Sequence, residues 1–417
     1  MKKLKDSGVE WIGQIPAEWK RVKLKEVTNI IMGQSPEAQD IKDFGNIPFM
    51  QGNREFGSIY PNAVKFCDNS PKKSRIGDIL LSVRAPVGAI NVSDKVYAIG
   101  RGLCSICATS INSKFLMYFL MLIMQDTKKF GQGSTFDAIT IQELKQLPVL
   151  LPPINTQNRI ASYLDRKCAE IDAIIAKQQQ VIEKLKEYKL SVITEAVTKG
   201  LDPNVPMKDS GVEWIGKIPE HWTMLKLKHT SSILRGKFNH RPRNDPAYYD
   251  GNHPFVQTGD VARANKYIKS YSQTLNEKGY AVSKEFPANS ICMTIAANVG
   301  DVAILTFDAC FPDSVVGFVP SDNIAWDYLY YVLTAMKKQF VRNAIISTQL
   351  NLNIEIIKEE FIPVAPLRIQ KEISKFLDGK YLAIDRTISA KQSAIDKLTD
   401  YKKSLIYEVV TGKKEIS

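Results

Sequence analysis

Histidine and cysteine are both scarce: the 417 residues hold four and six of them. Six thiols in so long a chain make no disulfide framework, and they point to a reducing compartment. All four histidines (His221, His229, His240, His253) fall in the second half. Cys104-Ser105-Ile106-Cys107 is a lone C-x-x-C with no second ligand pair at zinc spacing, so both cysteines read as strand packing residues and no metal site is expected. No apolar run reaches the ~18 residues of a membrane span. The longest, Phe115 to Met124, reads as a buried helix. No apolar core of a secretory signal follows Met1-Lys2-Lys3. The expectation is a cytoplasmic protein with no membrane partner.

Phosphate and cofactor loops are missing as well. Gly412-Lys413-Lys414 lacks the upstream glycine and the Ser/Thr of a nucleotide-binding loop, and no G-x-G-x-x-G follows a strand. Asp245-Pro246-Ala247-Tyr248 is one residue from the D-P-P-Y of adenine methyltransferases, but without a glycine-rich loop it reads as a turn. A duplicated enzyme should show candidate catalytic groups in both halves, and histidine is absent from the first. No catalytic residues are assigned.

What is there in excess is positive charge. Lys and Arg number 56 against 44 Asp and Glu, a net +12, which favours a polyanionic partner, nucleic acid first. With 44% hydrophobic and 24% charged residues the chain reads as folded rather than disordered, in two to four domains.

The chain also repeats itself. Residues 5–13 and 208–216 both read KDSGVEWIG, and 15 of 21 positions match from 5 to 25 at an offset of 203. A second block, 157–198, aligns without gaps to 370–411 at an offset of 213, with 19 of 42 positions identical. Gln157, Leu164, Asp165, Asp172, Ile182, Tyr188 and Glu195 recur as Gln370, Leu377, Asp378, Asp385, Ile395, Tyr401 and Glu408. The segments between, about 26–156 and 229–369, have diverged. Faint echoes remain, Asn46–Gln51 against Asn252–Gln257 and Ala85-Pro86-Val87-Gly88 against Ala297-Asn298-Val299-Gly300. The repeated blocks read as a common frame, and the diverged segments as the parts that carry what differs.

The second block is helical. Leu164, Cys168, Ile171, Ile175, Gln178, Ile182, Leu185, Lys189, Val192 and Ala196 step by alternating four and three, and so do Leu377, Ile384, Ile388, Ile395 and Leu398 with their intervening positions. The expected helix–helix interface is Leu164, Ile171, Ile175, Ile182 and Leu185 with Leu377, Ile384, Ile388, Ile395 and Leu398. Gln178 and Lys189 interrupt the first seam where Lys391 and Lys402 interrupt the second. They read as long side chains leaving a loosely packed seam; register specification is the alternative. The helices are expected to start after Pro152-Pro153, with Asn155 or Thr156 as cap, and near Pro366. Gly379 could mark a local break in the second. Residues 155–200 carry a net +2 and 367–417 a net +4, so the helices read as protein–protein spacers rather than DNA clamps.

The diverged segments read as mixed α/β. Asp78–Val83 and Ser290–Ile295 are expected strands, and 115–124 and 326–336 are buried helices, the first capped by Asn112 or Ser113. The strands Leu147–Leu151 and Phe361–Ala365 lead into the long helices. The second segment holds a basic cluster from Arg235 to Arg243, with Lys237 and Arg241 inside it, whose glycine, aromatic and cations suit phosphate contact. Lys72, Lys73, Arg75 and Arg101 are the counterparts in the first. Gln51, Arg54 and Arg84 in the first segment, and Gln257, Arg263 and Asn298 in the second, are candidate base readers, since Arg pairs bidentately with guanine and Gln or Asn with adenine.

The twice-used S-G-V-E-W-I-G-x-I-P-x-x-W at 7–19 and 210–222, with two unlike domains each followed by a matching long helix, resembles the specificity (S) subunit of type I restriction-modification systems. The resemblance covers nearly the whole chain. It implies a mixed α+β fold with two globular target recognition domains separated by two long antiparallel helices in a coiled coil, pseudo-two-fold symmetric. The boundaries would be 1–154 and 201–366 for the recognition domains, and 155–200 and 367–417 for the spacer helices. Each domain would read one half of a bipartite, asymmetric site in double-stranded DNA. Two methyltransferase (M) subunits and restriction (R) subunits would bind the frame. S-adenosylmethionine, ATP and Mg²⁺ would belong to those partners, and this chain would bind no cofactor. The competing readings are a scaffold whose two domains bind peptides or proteins, and a DNA-modifying enzyme with an unfamiliar site.

Overall fold

The computed structural model describes residues 3–124, 138–296, 298–346 and 350–416. Ala297, one residue of the second echo, and Met1-Lys2 lie outside them. The chain forms two compact units, Met1–Gln179 with Ser393–Ser417, and Gln180–Gln392. Each long helix is therefore shared, its two parts belonging to different units.

In the first unit, β1 (Lys20–Lys23) is followed by β2 (Thr28–Met32), β3 (Pro48–Met50), β4 (Ile79–Ser82), β5 (Ile90–Val92), β6 (Ala98–Ile99) and β7 (Leu103–Ala108). An antiparallel sheet runs in the order β2-β7-β4-β5, with Met32 opposite Cys104 and Ser82 opposite Leu103. β3 lies parallel to β6 in a smaller sheet. Helix α1 (Ser113–Met124) covers the main sheet with Phe115, Leu116, Phe119 and Leu120, all fully buried. Asn112 caps it, its Oδ1 accepting from Phe115 N at 2.9 Å. Strand β8 (Pro148–Leu151) pairs with β1 and leads into α2 (Ile154–Lys199). Pro153 provides the first accepting carbonyl of α2, to Thr156 N and Gln157 N, so Asn155 and Thr156 lie inside the first turn and neither is the cap expected from sequence.

The second unit repeats the plan. Strands β9 (Thr223–Lys226), β10 (Ser231–Arg235), β11 (Tyr249–Phe255), β12 (Ile291–Thr294), β13 (Val302–Leu305), β14 (Ala309–Cys310) and β15 (Val315–Pro320) precede α3 (Trp326–Ala335), β16 (Phe361–Val364) and α4 (Leu367–Val410). The main sheet runs β10-β15-β12-β13 and is closed by Tyr267–Ile268. Phe255 on β11 lies parallel to Cys310 as Phe49 does to Ala98, so the first faint echo is a true structural equivalence. So is the second: Gly88 N donates to Ser82 O, Gly300 N to Thr294 O, and both glycines have positive φ. Helix α4 runs unbroken through Gly379, whose missing Cβ would meet nothing within 4 Å. An exposed helical glycine costs about 1 kcal/mol but does not stop a helix held by a buried seam.

The W-I-G-x-I-P-x-x-W block has a structural task that sequence did not reveal. In the second unit Ile215, Ile218 and Trp222 share a core with Ile193, Ala196 and Val197 at the end of α2. In the first, Ile12, Ile15 and Trp19 share one with Leu405, Ile406, Val409 and Val410 at the end of α4. Gly200 and Gly412 end the two helices at φ +77° and +74°, the left-handed cap that glycine adopts without strain. A Cβ on Gly412 would approach Pro16 to 2.6 Å. Each block thus clasps a helix end.

Within each unit the two helix parts run antiparallel. In the first, Asp172 faces Lys402 while Leu164 and Ile171 join Leu405 and Val409. In the second, Lys189 faces Asp385 while Ile193 and Val197 join Ile373 and Leu377. Of the expected interface, Leu164, Ile171, Ile182, Leu377, Ile384 and Ile395 are buried, and Ile175, Leu185, Ile388 and Leu398 are half-buried.

Candidate nucleic-acid interface

Each globular domain is pinned to its helix by residues identical in the two repeats. Gln157 is buried at the start of α2, where its Oε1 accepts from Asn112 N at 2.8 Å and its Nε2 donates to Pro152 O at 2.7 Å. Gln370 does the same with Ala325 N (2.8 Å) and Ala365 O (2.7 Å). About two turns further, Asp165 accepts from Tyr118 Oη at 2.9 Å, and Asp378 accepts from Tyr331 Oη and from the buried Lys266. Burial pushes both phenols far above the usual tyrosine range, and the bond to the carboxylate adds to it. Each joint borders a cleft, about 440 Å³ beside Asp165, Asp172 and Lys402, and about 680 Å³ beside Asp378, Tyr381 and Asp385.

Where β2, β4 and β7 of the first unit end together, their loops are woven into one surface. Gly102 N donates to Gln51 O, Gly100 N to Met50 O, Val83 N to Gly102 O, and Gly33 N to Leu103 O. Asn53 Nδ2 reaches Pro86 O at 3.3 Å, and Gln51 shares its amide with Ser35 Oγ. The mesh brings together Gln51, Arg54, Arg84 and Arg101, all exposed. Arg54, Arg84 and Arg101 form no ion pair among the described residues. Lys72 and Lys73 run beside β6, where Lys73 Nζ is taken up by Asp68 O. Arg75 sits by Asp78 and Cys107, at the opposite end of β4 and β7, and does not join the cluster.

The same end of the second sheet carries a different set. Asp313 is its centre. Its carboxylate accepts from Arg243 at 2.7 Å and lies 3.5 Å from Arg241, and its backbone oxygen accepts from Arg235 Nε. Lys237 and Asn298 are exposed near the ends of the same strands. Arg241 also donates to Phe238 O and His240 O, so it braces its own loop. Phe238 roots that loop among Tyr248, Tyr249 and Phe255. Asp245 caps the turn at Ala247 N and holds His240, the turn expected of Asp245–Tyr248. Gln257 and Arg263 are not gathered here. The Gln257 amide is bonded to Gln273, and Arg263 donates to Asp260 in the cleft that faces α4.

Sequence gave no pointer to Asp313. The frame does: a Cβ on Gly33 would strike Gly100 O at 2.2 Å, and one on Gly236 would strike Pro312 O at 2.2 Å. The loops therefore superimpose in role, and Arg101 in one unit answers to Asp313 in the other. Two equivalent frames present unlike polar sets, one an open group of arginines and the other an arginine group organised by a carboxylate. Arginine and amide side chains are the residue types that suit phosphate oxygens and base edges. Among the described residues no three His, Cys, Asp or Glu are placed to hold a metal, no helix is long and apolar enough to cross a membrane, and all six cysteines are free.

Comparison with known proteins agrees with the duplicated plan. The family model for the type I restriction modification DNA specificity domain matches residues 16–184 and again 219–398. A Methanocaldococcus jannaschii protein assigned as the type I restriction enzyme MjaX specificity subunit is 37% identical over 187 residues, 44% of each chain. The Escherichia coli type I restriction enzyme EcoDI specificity subunit is 24% identical over 89% of this chain and 83% of that one. A chain solved in work on complex assembly and conformational transition of the type I R-M system shares the fold at a TM-score of 0.73, with 16% identity over 96% of this chain and 99% of that one.

Proposed function

The chain belongs to the type I restriction-modification DNA specificity family and, as a specificity subunit, selects sequence rather than carrying out a reaction; we propose that each unit reads one half of a bipartite, asymmetric site in double-stranded DNA. The first half-site meets Gln51, Arg54, Arg84 and Arg101. The second meets Arg235, Lys237, Arg241, Arg243 and Asn298. The observation that carries this reading is the equivalence of the two frames combined with the unlikeness of what they hold at one end of each sheet. A protein built to read one sequence twice would keep those sets alike.

The partners are two methyltransferase subunits and restriction subunits. S-adenosylmethionine, ATP and Mg²⁺ are used by them, and the assembly works in the cytoplasm. The long helices set the length of the unread gap between half-sites, and their seams fix it.

The test is a map of methylated adenines in cells carrying this chain with its methyltransferase subunit. A two-part motif with a constant gap is expected. Exchanging residues 26–156 for the matching segment of a related chain should rewrite one part and leave the other. A single continuous motif, or a change in both parts, would overturn the reading.

A further inference from the structure

Where their loops meet, the two frames make the same backbone hydrogen bonds, which lets them be compared residue by residue. Gly33 N donates to Leu103 O and Gly236 N to Val315 O, while Leu103 N donates to Gly100 O and Val315 N to Pro312 O. Met32 lies opposite Cys104 in β7, and Arg235 lies opposite Val316 in β15. Position 32 of the first unit therefore answers to 235 of the second, as 101 answers to 313. At 32 and 235 the units differ in kind. Met32 is half-buried and packs on the core of its unit. Arg235 is exposed at the last residue of β10, and its Nε donates to Asp313 O at 2.5 Å. That bond holds the guanidinium by its inner nitrogen. Among the described residues its two terminal nitrogens have no partner, and Arg235 forms no ion pair. The Asp313 carboxylate is taken up elsewhere, by Arg243 at 2.7 Å and with Arg241 at 3.5 Å.

The phosphate chain is the same in every duplex. A frame used twice has no reason to change its phosphate contacts from one copy to the other, whereas the base edges of two half-sites differ. A cation that stands where the other copy has a methionine is therefore placed on the varying part of the target. Its mounting agrees with this. A phosphate oxygen is satisfied by a mobile cation, but a bidentate pair with a base needs the guanidinium held in one plane. Arg235 has its backbone fixed at a strand end and its Nε fixed on a backbone oxygen, which leaves Nη1 and Nη2 as a free pair of parallel donors. We infer that Arg235 reads a guanine of the second half-site, Nη1 and Nη2 donating to its O6 and N7 in the major groove. This rests on the DNA reading proposed above and adds the base to it. The backbone oxygen of Asp313 is the positioning group. Met32 has no donor to offer, so the first unit cannot make this contact from the same place in its frame.

The test takes the full chain in complex with its methyltransferase subunit and selects duplexes from a random-sequence library at two salt concentrations. The part of the motif that survives exchange of residues 26–156 is the second half-site, and it should contain a fixed G·C pair. Arg235→Met, which installs the residue of the first unit, should make that one position degenerate and leave the rest of both parts and the gap unchanged. On the selected duplex, replacing that pair by A·T should cost the wild type about tenfold or more in affinity, and Arg235→Met less than about twofold. The salt slope should be the same in both, because a base contact releases no phosphate counterion. Arg235→Ala is the second variant, and both should melt with the wild type, as changes at an exposed side chain do. A second part without a fixed G·C pair overturns the guanine contact and leaves the two-part reading standing. So does a variant that binds every duplex more weakly, with the motif unchanged and the salt slope lower by about one. A library that yields no two-part motif overturns the DNA reading itself, and the guanine contact falls with it.

Discussion

Lys189 on α2 donates to Asp385 on α4 at 2.5 Å, both side chains at least four-fifths buried. One repeat on, Lys402 holds Asp172 at 2.6 Å in the other unit. Lys189 and Lys402, two of the lysines that interrupt the seams, are therefore not loose side chains leaving a poorly packed groove, as their spacing suggests. They are register pins, and Lys189 also lies over the Tyr381 ring. A slip of one helix against the other would strand a lysine and an aspartate away from water, which costs more than the pair gains.

Reversing one charge should expose that cost. Lys189→Glu sets two carboxylates together and should destabilise the second unit by about 1–3 kcal/mol, a fall in melting temperature of roughly 2–10 °C for a unit of this size. Lys189→Glu with Asp385→Lys should recover most of the loss. Melting curves of the three chains decide it; a double variant no better than the single would mean the pair does not set register.

The buried amide of Gln370 ties the recognition domain to the start of α4. It satisfies Ala325 N, Ala365 O and, at 3.2 Å, Asn323 O. Gln370→Ala leaves those groups unpaired in a dry site and should cost about 2–4 kcal/mol. Lys371→Ala, exposed one residue on, should change stability by less than about 0.5 kcal/mol. Equal effects in chemical denaturation would show that the amide is not a joint.

The frame was legible because its signals are local and periodic. The seam, the buried strands at 79–82 and 291–294, and the helices at 113–124 and 326–335 follow from runs of apolar side chains whose spacing a fold cannot disguise. The nine-residue identity flagged the clasp without saying what it holds, because Trp222 and Val197 meet only through tertiary packing. The surface proposed for recognition was half legible. Arg84, Arg101, Arg241 and Arg243 stand out by type, but Arg75 and Arg263 do too, and only strand register separates those that share a surface from those that do not. Asp313 is invisible in sequence because its role comes from a backbone placement, not from a motif.

Stability should fall in alkali. Burial pushes the Cys104 and Cys292 thiols up to about 12, against ~8.5 when unfolded. Both proton affinities are raised by folding, so their contribution is complete below ~8.5 and is lost as pH climbs from there toward 12. Above that onset each thiol removes up to about 1.4 kcal/mol per pH unit. Urea midpoints measured at pH 8 and pH 10 should drop, and less steeply in Cys104→Ala. An equal drop in that variant would assign the loss to other groups, the buried tyrosines first.

Arg243 and Asp313 separate charge from reading. The Arg243 guanidinium is exposed and held by Asp313 at one end, which leaves its other nitrogens free for a phosphate oxygen. Arg243→Ala should weaken binding to all duplexes about equally and lower the salt slope by about one. Arg241→Ala should do the same with an added loss of loop order, since that side chain also binds Phe238 O and His240 O. Asp313→Asn works the other way. It removes a negative charge beside the phosphates, so affinity for random DNA should hold or rise, while discrimination at the second half-site falls as the arginines lose their fixed geometry. Titrations of cognate and half-site-scrambled duplexes at two salt concentrations read both quantities at once. If Arg243→Ala leaves affinity and slope where they were, the cluster faces solvent and the second half-site is read elsewhere on the unit.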